Sequence, residues 1–427
     1  MLLLAALKRR RFLLLWLGQT ASHLGTHIYQ IALAWWVLEK TGSAAAMGGV
    51  LIAAFAPTSA LVLVGGVIAD RLPRIPIMLA SDCARLALMI AMTALALGGS
   101  LTIWLVLVIS ALIGVMDAFF WPAYKSIFPE LVPQSELASA NSVEAISGQA
   151  VHILAPAAGA GLIAVGGIPI AFALNGGSFL LSAVSLIAML ALPRKLAEGG
   201  QAPDGLAFPE APMSASEAMR EGAVGQPGGF WRELRAGVAA ARALPWILLT
   251  IALAGLANLG AEGAIAVALP YYVQHTLAGS PLLYGGLLAA SAVGGVPAAL
   301  WLGSRTVRRR GPLLYGALAL GMLALSLVGL IPWPPVMLAA MFVAGLGVTI
   351  FDIAWTTALQ QYIPLEKLGR VSSIDQLGSF VVIPLSYGLT GLVVDRIGAS
   401  PDLIWSGVIA AAIVSLGFLS RSVRALE

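Results

Sequence analysis

Leu101–Ala123 reads LTIWLVLVISALIGVMDAFFWPA, an apolar stretch in which Asp117 is the only charged residue. A helix needs about 20 apolar residues to cross the ~30 Å hydrocarbon core of a bilayer, so this stretch is long enough to span it. Similar stretches, such as Phe12–Leu38 and Ala44–Ala69, follow one another along the 427 residues. With 10% charged residues and a mean hydropathy of +0.92, the chain is predicted to be a membrane protein with many crossings.

Twelve such spans are predicted, and the longest gap between them divides the chain into two halves. We expect an all-α membrane protein with twelve transmembrane helices in two pseudo-symmetric six-helix bundles. The long connection 193–242 is rich in proline and glycine, which indicates a cytoplasmic linker between a bundle over 1–192 and a bundle over 243–427. The predicted spans are 12–38, 44–69, 76–98, 101–124, 141–165, 168–192, 244–273, 281–304, 311–331, 335–358, 371–394 and 401–420.

The two halves carry weak internal similarity. A shift of 231 residues places Pro133–Asn141 on Pro364–Ser372 and Glu144 on Asp375. Repeats of this kind are typical of transporters whose two halves rock against each other around a shared site.

The basic residues indicate how the chain is oriented. Of the 24 Lys and Arg residues, 21 lie in alternate gaps, whereas Lys40 and Arg396 occupy the other gaps and Arg85 lies within a span. Because Lys and Arg gather in cytoplasmic loops, both termini are predicted to lie in the cytoplasm, with the spans in the plasma (inner) membrane. The net charge of +4 is then a topology signal, and we expect the lipid bilayer rather than nucleic acid as a partner.

The loop after the second span reads Gly65-Gly66-Val-Ile-Ala-Asp70-Arg71-Leu-Pro73-Arg74-Ile-Pro76. It resembles the loop signature of the major facilitator superfamily, in which a glycine precedes Asp-Arg and further basic residues. Other stretches resemble the twelve-span drug/proton antiporter branch, which includes macrolide-efflux-like and enterobactin-exporter-like proteins: Trp16-Leu-Gly-Gln19, Asp82-Cys-Ala-Arg85-Leu, Trp121-Pro-Ala-Tyr124 and Phe128-Pro-Glu-Leu-Val-Pro133. The resemblance implies an exporter that uses a proton gradient as its energy source and needs no cofactor.

The resemblance also implies a charged gate at the cytoplasmic side. Asp70 would dock near the start of span eleven, where the amide groups of a helix N-terminus favour a carboxylate. Glu144 and Asp375 lie about one turn into spans five and eleven, within reach of Arg71 or Arg74. Such pairs would close the inner side in one state and break in the other. The alternative is a static loop that only determines topology.

Carboxylates inside a membrane are costly and therefore indicate function. Glu262 in span seven has no base nearby in the sequence and is the preferred carrier of a coupling proton, with a water-facing position near the outer mouth as the alternative. Asp117 and Asp352 are competing candidates that could instead pair with loop arginines. Asp82 and Arg85, three residues apart on one face of span three, are predicted to form a structural ion pair, or else to link that span to the gate.

A substrate cavity is predicted between spans one, four, seven and ten. The polar stripe on span one would line it, and two deeper tryptophans could stack against an apolar or aromatic substrate. No acid or cysteine accompanies the histidines at ligand spacing, so no metal site is predicted. The candidate lining residues are His23, His27, Gln30, Trp121, Asn258 and Trp355.

The sequence therefore predicts a monomeric secondary active transporter that exports lipophilic or amphiphilic small molecules by alternating access in exchange for protons. The alternatives are a siderophore or lysolipid exporter, an uncoupled facilitator, and a membrane sensor that moves nothing. The sequence contains no Walker motif and no recognisable nucleophile triad. Neither ATP-driven transport by this chain nor an enzyme is predicted.

Overall fold

The computed structural model describes residues 2–192, 245–303, 310–363, 371, 375, 378 and 382–420. The predicted linker 193–242 and the side chain of Asp70 lie outside this description. Within the described residues every predicted span contains a helix, and ten of these helices are long and apolar enough to cross a membrane. The other two are the first, which carries the polar stripe, and the eleventh, of which 16 residues are described.

The first half contains six helices in succession. They are α1 (Arg10–Thr41), α2 (Ala44–Arg71), α3 (Arg74–Leu97), α4 (Ile103–Leu131), α5 (Leu137–Gly166) and α6 (Ile168–Ala191). Short 3-10 turns over Leu2–Lys8 and Gln134–Glu136 precede α1 and α5. Gly42 and Gly167 make tight turns with φ of 62° and 74°, which residues with a Cβ rarely adopt. Ser43 caps the first turn of α2.

The described residues of the second half also form six helices. α7 is regular over Pro245–Gly263 and continues as a π-helix over Ala264–Ala268, an α-turn over Leu269–Tyr271 and a second π-helix over Tyr272–Thr276. The helices that follow are α8 (Pro281–Gly303), α9 (Arg310–Leu330), α10 (Pro334–Tyr362), α11 (Val382–Ile397) and α12 (Ala399–Ser415). A 3-10 turn over Leu416–Leu419 extends α12.

The two halves share one scheme of helix packing. In the first half α1 packs on α5 and α6, α2 on α4, and α3 on α4 and α6. The corresponding pairs of the second half are α7 with α11 and α12, α8 with α10, and α9 with α10 and α12. Glycines allow the closest approaches, since Gly65 meets the backbone of Ala118 and Gly294 that of Phe342. The predicted fold of two pseudo-symmetric six-helix bundles is confirmed.

The two ends of the bundle differ in charge. We call one end the basic end, which carries Arg9, Arg10, Arg11, Arg71 and Arg74. We call the other the opposite end, which carries the turns at Gly42, Gly99, Gly167 and Gly398. In the described ranges, every helix except α11, which is described from Val382 onwards, runs from one end to the other.

The halves meet through α2 with α11 and through α5 with α8. Gln149 of α5 donates to the carbonyl of Ala292 in α8 over 3.4 Å near the middle of the bundle. Nearer the opposite end, Gly285 of α8 packs directly on the carbonyl of Pro156 in α5. These contacts hold the two halves together towards the opposite end.

Candidate transport cavity

A cavity of about 720 Å³ lies between the two halves. It extends from Glu262 and Tyr387, near the middle of the bundle, towards Thr250 and Asp375, nearer the basic end. Aliphatic and aromatic side chains form most of its wall, and polar side chains approach it from both halves. Pockets for drug-sized ligands are usually about 300–1,000 Å³, so a molecule of that size would fit.

The wall differs in one respect from the prediction. α1, α7 and α10 contribute to it as expected, but none of the described lining residues comes from α4, and α5 and α8 contribute instead. Four predicted residues do lie on the wall, namely His27, Gln30, Asn258 and Trp355. His23 and Trp121 are not among the lining residues. Their ring centroids lie 5.3 Å apart, because the aromatic face of α4 is turned towards α1.

The described acidic groups of the cavity all belong to the second half. Glu262 of α7, Asp352 of α10 and Asp375, just before α11, lie on the wall, and no Lys or Arg occurs among the described lining residues. Trp355 Nε1 donates to Asp375 Oδ2 over 3.0 Å, which orients that carboxylate. Carboxylates without a basic partner in a largely apolar pocket attract cations or protons.

Packing of α7 against α11 determines where Glu262 lies. The amide of the next residue, Gly263, donates to Ser386 Oγ over 2.7 Å. Thr390 packs so closely on Gly263 that a side chain there would collide with it. The π-helix begins immediately afterwards, at Ala264. The backbone of Glu262 is thus held against α11, while its side chain lies on the cavity wall.

The first half lines the cavity with imidazole and amide groups. The rings of His27 in α1 and His152 in α5 meet edge to face, with centroids 4.7 Å apart, and Gln30 and Gln149 lie on the same wall. His152 and Gln149 are absent from the predicted site. Their three-residue spacing places them on one face of α5, but only the packing of α5 shows that this face lines the cavity.

A buried charge cluster lies within the first half, apart from the cavity wall. Arg85 Nη2 is 2.7 Å from Asp82 Oδ1, and Arg85 Nη1 is 3.0 Å from Asp117 Oδ1, so one guanidinium bridges carboxylates of α3 and α4. Asp82 also accepts from Ser182 Oγ over 2.6 Å, and Ser182 accepts from Gln19 Nε2 over 2.7 Å. Asp82 and Arg85 therefore belong to a larger network, which includes the coupling candidate Asp117.

The described side chains of the predicted gate form no ion pair with one another. Arg74 pairs instead with Glu130 at the end of α4, and Arg71 is exposed. Glu144 forms a hydrogen bond with Tyr124 of the same half. The gate is predicted for a state in which the basic end is closed, and it stays a prediction.

An ion pair outside the membrane-spanning segments joins two connections at the basic end. Arg9 Nε and Nη2 lie 2.9 and 2.7 Å from the two carboxylate oxygens of Glu136. The hydrogen bonds from Arg9 hold the pKa of Glu136 below its usual range. The pair links the start of α1 to the turn between α4 and α5.

Several proteins similar to this chain are named as transporters. The family model described as Major Facilitator Superfamily matches residues 15–387. Macrolide efflux protein A of Streptococcus pyogenes is 24% identical, over 98% of this chain and 97% of that protein. Multidrug efflux pump Tap of Mycolicibacterium fortuitum is 26% identical, over 92% of this chain and 91% of that protein.

Solved structures show the same fold at low sequence identity. A bacterial homologue of the iron transporter ferroportin in the inward-facing state matches with a TM-score of 0.67 and 15% identity, over 96% of this chain and 98% of that chain. The nucleoside transporter NupG matches with a TM-score of 0.68 and 12% identity, over 96% of this chain and 98% of that chain. The architecture and the extent of the family match agree, and the chain belongs to the major facilitator superfamily.

Proposed function

We propose that this protein is a secondary active efflux transporter, which exports lipophilic or amphiphilic small molecules by alternating access in exchange for protons. The observation that carries the proposal is the cavity of about 720 Å³ between the halves, whose wall is largely apolar and on which no Lys or Arg accompanies the acids among the described lining residues. Two relatives, similar over nearly the whole chain, are named as efflux proteins, which supports export.

We assign the basic end to the cytoplasm and the helices to the plasma (inner) membrane, with the protein acting as a monomer in lipid. Positively charged loops favour the cytoplasmic side, which supports this orientation. The contacts between the halves then close the outer side, and the cavity extends towards the cytoplasm. This is the conformation in which an exporter takes up its cargo.

A proton gradient supplies the energy in this proposal, and no cofactor is needed. Glu262 is the first candidate for the proton carrier, because it lies on the wall where cargo would bind. Cargo and proton would compete for one carboxylate, so that each leaves when the other arrives. Asp352 on the same wall and Asp117 in the buried charge cluster are the further candidates.

The test uses purified protein in proteoliposomes with an imposed pH gradient. Ethidium and a radiolabelled macrolide serve as cargo, and a pH-sensitive dye follows protons. The wild-type protein is expected to move cargo and protons in opposite directions. Glu262→Gln keeps the shape of the side chain but cannot ionise, so it should abolish gradient-driven transport. Glu39→Gln, at an exposed glutamate of α1, is the matched control and should leave transport unchanged.

The remaining outcomes separate the alternatives. If Glu262→Gln retains coupled transport, another acid carries the proton, and Asp352→Asn and Asp117→Asn are compared in the same assay. Cargo movement without proton flux would indicate an uncoupled facilitator. Movement of a siderophore or a lysolipid alone would change the cargo class, and no flux with any compound would favour the sensor.

A further inference from the structure

Asp395, near the end of α11, accepts three hydrogen bonds from the start of α2 in the other half. Its Oδ1 lies 2.7 Å from the amide nitrogen of Ala44. Its Oδ2 lies 2.6 Å from Ser43 Oγ and 3.1 Å from the amide nitrogen of Ala45. One carboxylate thus joins the two halves at the surface of the opposite end.

This contact is a helix cap supplied from the other half. The first amide groups of a helix have no partner within it, and the partial positive charge there favours a carboxylate. Ser43 Oγ already accepts from the amide of Ala46 over 3.1 Å, while the amides of Ala44 and Ala45 donate to Asp395. Separating the halves here would break these charge-assisted bonds.

Close backbone packing continues from the cap towards the cavity. Gly391, one turn before Asp395, lies so near α2 that a Cβ would be 2.8 Å from the carbonyl oxygen of Ala44. One turn earlier, the carbonyl of Tyr387 meets Gly48, and Tyr387 also lies on the cavity wall. The contact between α2 and α11 therefore closes the route from the cavity to the opposite end along this side.

The end of α11 repeats the motif found at the end of α2. Gly391-Leu-Val-Val-Asp395-Arg396 and Gly66-Val-Ile-Ala-Asp70-Arg71 both place a glycine four residues before Asp-Arg. The two helices run in opposite directions, so one copy of the motif stands at each end of the pair. Asp395 caps the start of α2, just as Asp70 is predicted to dock near the start of span eleven.

We propose that Asp395 is a latch residue that keeps the opposite end closed while the cavity is open towards the basic end. The proposal rests on the alternating access described under the proposed function. When the basic end closes, the end of α11 that carries Asp395 moves away from the start of α2, and water replaces the three hydrogen bonds. Weakening the latch shifts the resting equilibrium towards the state with the opposite end open.

The experiment measures the distance between the halves at the opposite end by double electron–electron resonance, in nanodiscs without cargo. Spin labels are attached through Ser100→Cys, in the α3–α4 connection, and Trp333→Cys, in the α9–α10 connection, on a Cys83→Ser background. Both positions are exposed. Asp395→Asn should raise the population ratio of longer to shorter distances about threefold to tenfold, as expected for the loss of roughly one net hydrogen bond.

Two further variants make the result specific. Glu39→Gln changes another exposed carboxylate at the same end and should leave the distances unchanged. Gly391→Ala forces α2 and α11 apart without altering the carboxylate, and it should shift the distances in the same direction as Asp395→Asn. Unchanged distances in Asp395→Asn would overturn the latch, and so would a parent protein that rests mainly with the opposite end open. Since no cargo is present, failure of transport would overturn the proposed function alone.

Discussion

At the scale of single residues, the buried charge cluster joins α3 to α4 within the first half. Arg85 is 5% exposed and Asp82 is fully buried. The guanidinium carbon of Arg85 lies 4.1 and 4.8 Å from the ring centres of Phe120 and Phe179. One cation shared between two carboxylates, with aromatic faces around it, satisfies charges that would be costly alone.

Arg85→Met should therefore destabilise the protein by about 3–5 kcal/mol, because it leaves Asp82 and Asp117 without their cation. Asp117→Asn should cost much less, since Arg85 still pairs with Asp82. Thermal unfolding of the purified variants, followed by tryptophan fluorescence, measures both effects. Equal losses in the two variants would contradict the bridging role of Arg85.

At the scale of helices, the close pairs depend on positions that lack a side chain. A Cβ added to Gly65 of α2 would collide with the carbonyl of Ala118 in α4. A Cβ added to the neighbouring Gly66 would face open space. Gly65→Ala should lower the free energy of unfolding by about 1–3 kcal/mol through overpacking. Gly66→Ala should be neutral or slightly stabilising, because alanine favours a helix.

The midpoint of heat-induced aggregation, monitored by size-exclusion chromatography, measures both glycine variants. The two positions are adjacent and the substitution is identical, so any difference arises from the neighbouring helix. A similar response at both positions would mean that the approach of α2 to α4 does not limit what fits there.

Most helix boundaries could be predicted from the sequence, because apolar runs and turn glycines determine them. The predicted spans 44–69 and 168–192 correspond closely to Ala44–Arg71 and Ile168–Ala191. The fourth predicted span is too short, since α4 continues beyond residue 124 to Leu131. Lys125 and Pro129 are typical of a loop, but this helix continues past the end of the apolar stretch in its sequence.

The candidate site could be predicted only in part. Glu262 and Asp352 are visible in the sequence, because a charge within an apolar stretch is rare and costly. The contributions of His152 and Asp395 depend on contacts between segments far apart in the chain. Hydropathy and periodicity describe one helix at a time, so they give no indication of which helices will face the cavity or meet across it.

At the scale of the whole molecule, the two halves present different chemistry to the cavity. The second half supplies Glu262, Asp352 and Asp375, while the first supplies imidazole and amide groups. A cationic amphiphile should therefore bind more tightly than an anionic one of the same shape. Tetraphenylphosphonium and tetraphenylborate form such a pair, and the cation should bind on the order of tenfold more tightly.

Isothermal titration calorimetry in detergent measures the two affinities. The double variant Glu262→Gln with Asp352→Asn should narrow the difference between the two ions, because the wall then carries less negative charge. Equal affinities in the wild-type protein would show that these acids do not face the bound molecule.

The π-helical segments Ala264–Ala268 and Tyr272–Thr276 have a mechanical consequence for α7. Each contains a wider turn with one more residue than an ordinary helical turn. Converting such a turn to the regular form rotates the part of the helix after the turn by about 100° relative to the part before it. α7 thus contains a swivel immediately after Glu262, about which this carboxylate and the later part of the helix can turn relative to each other.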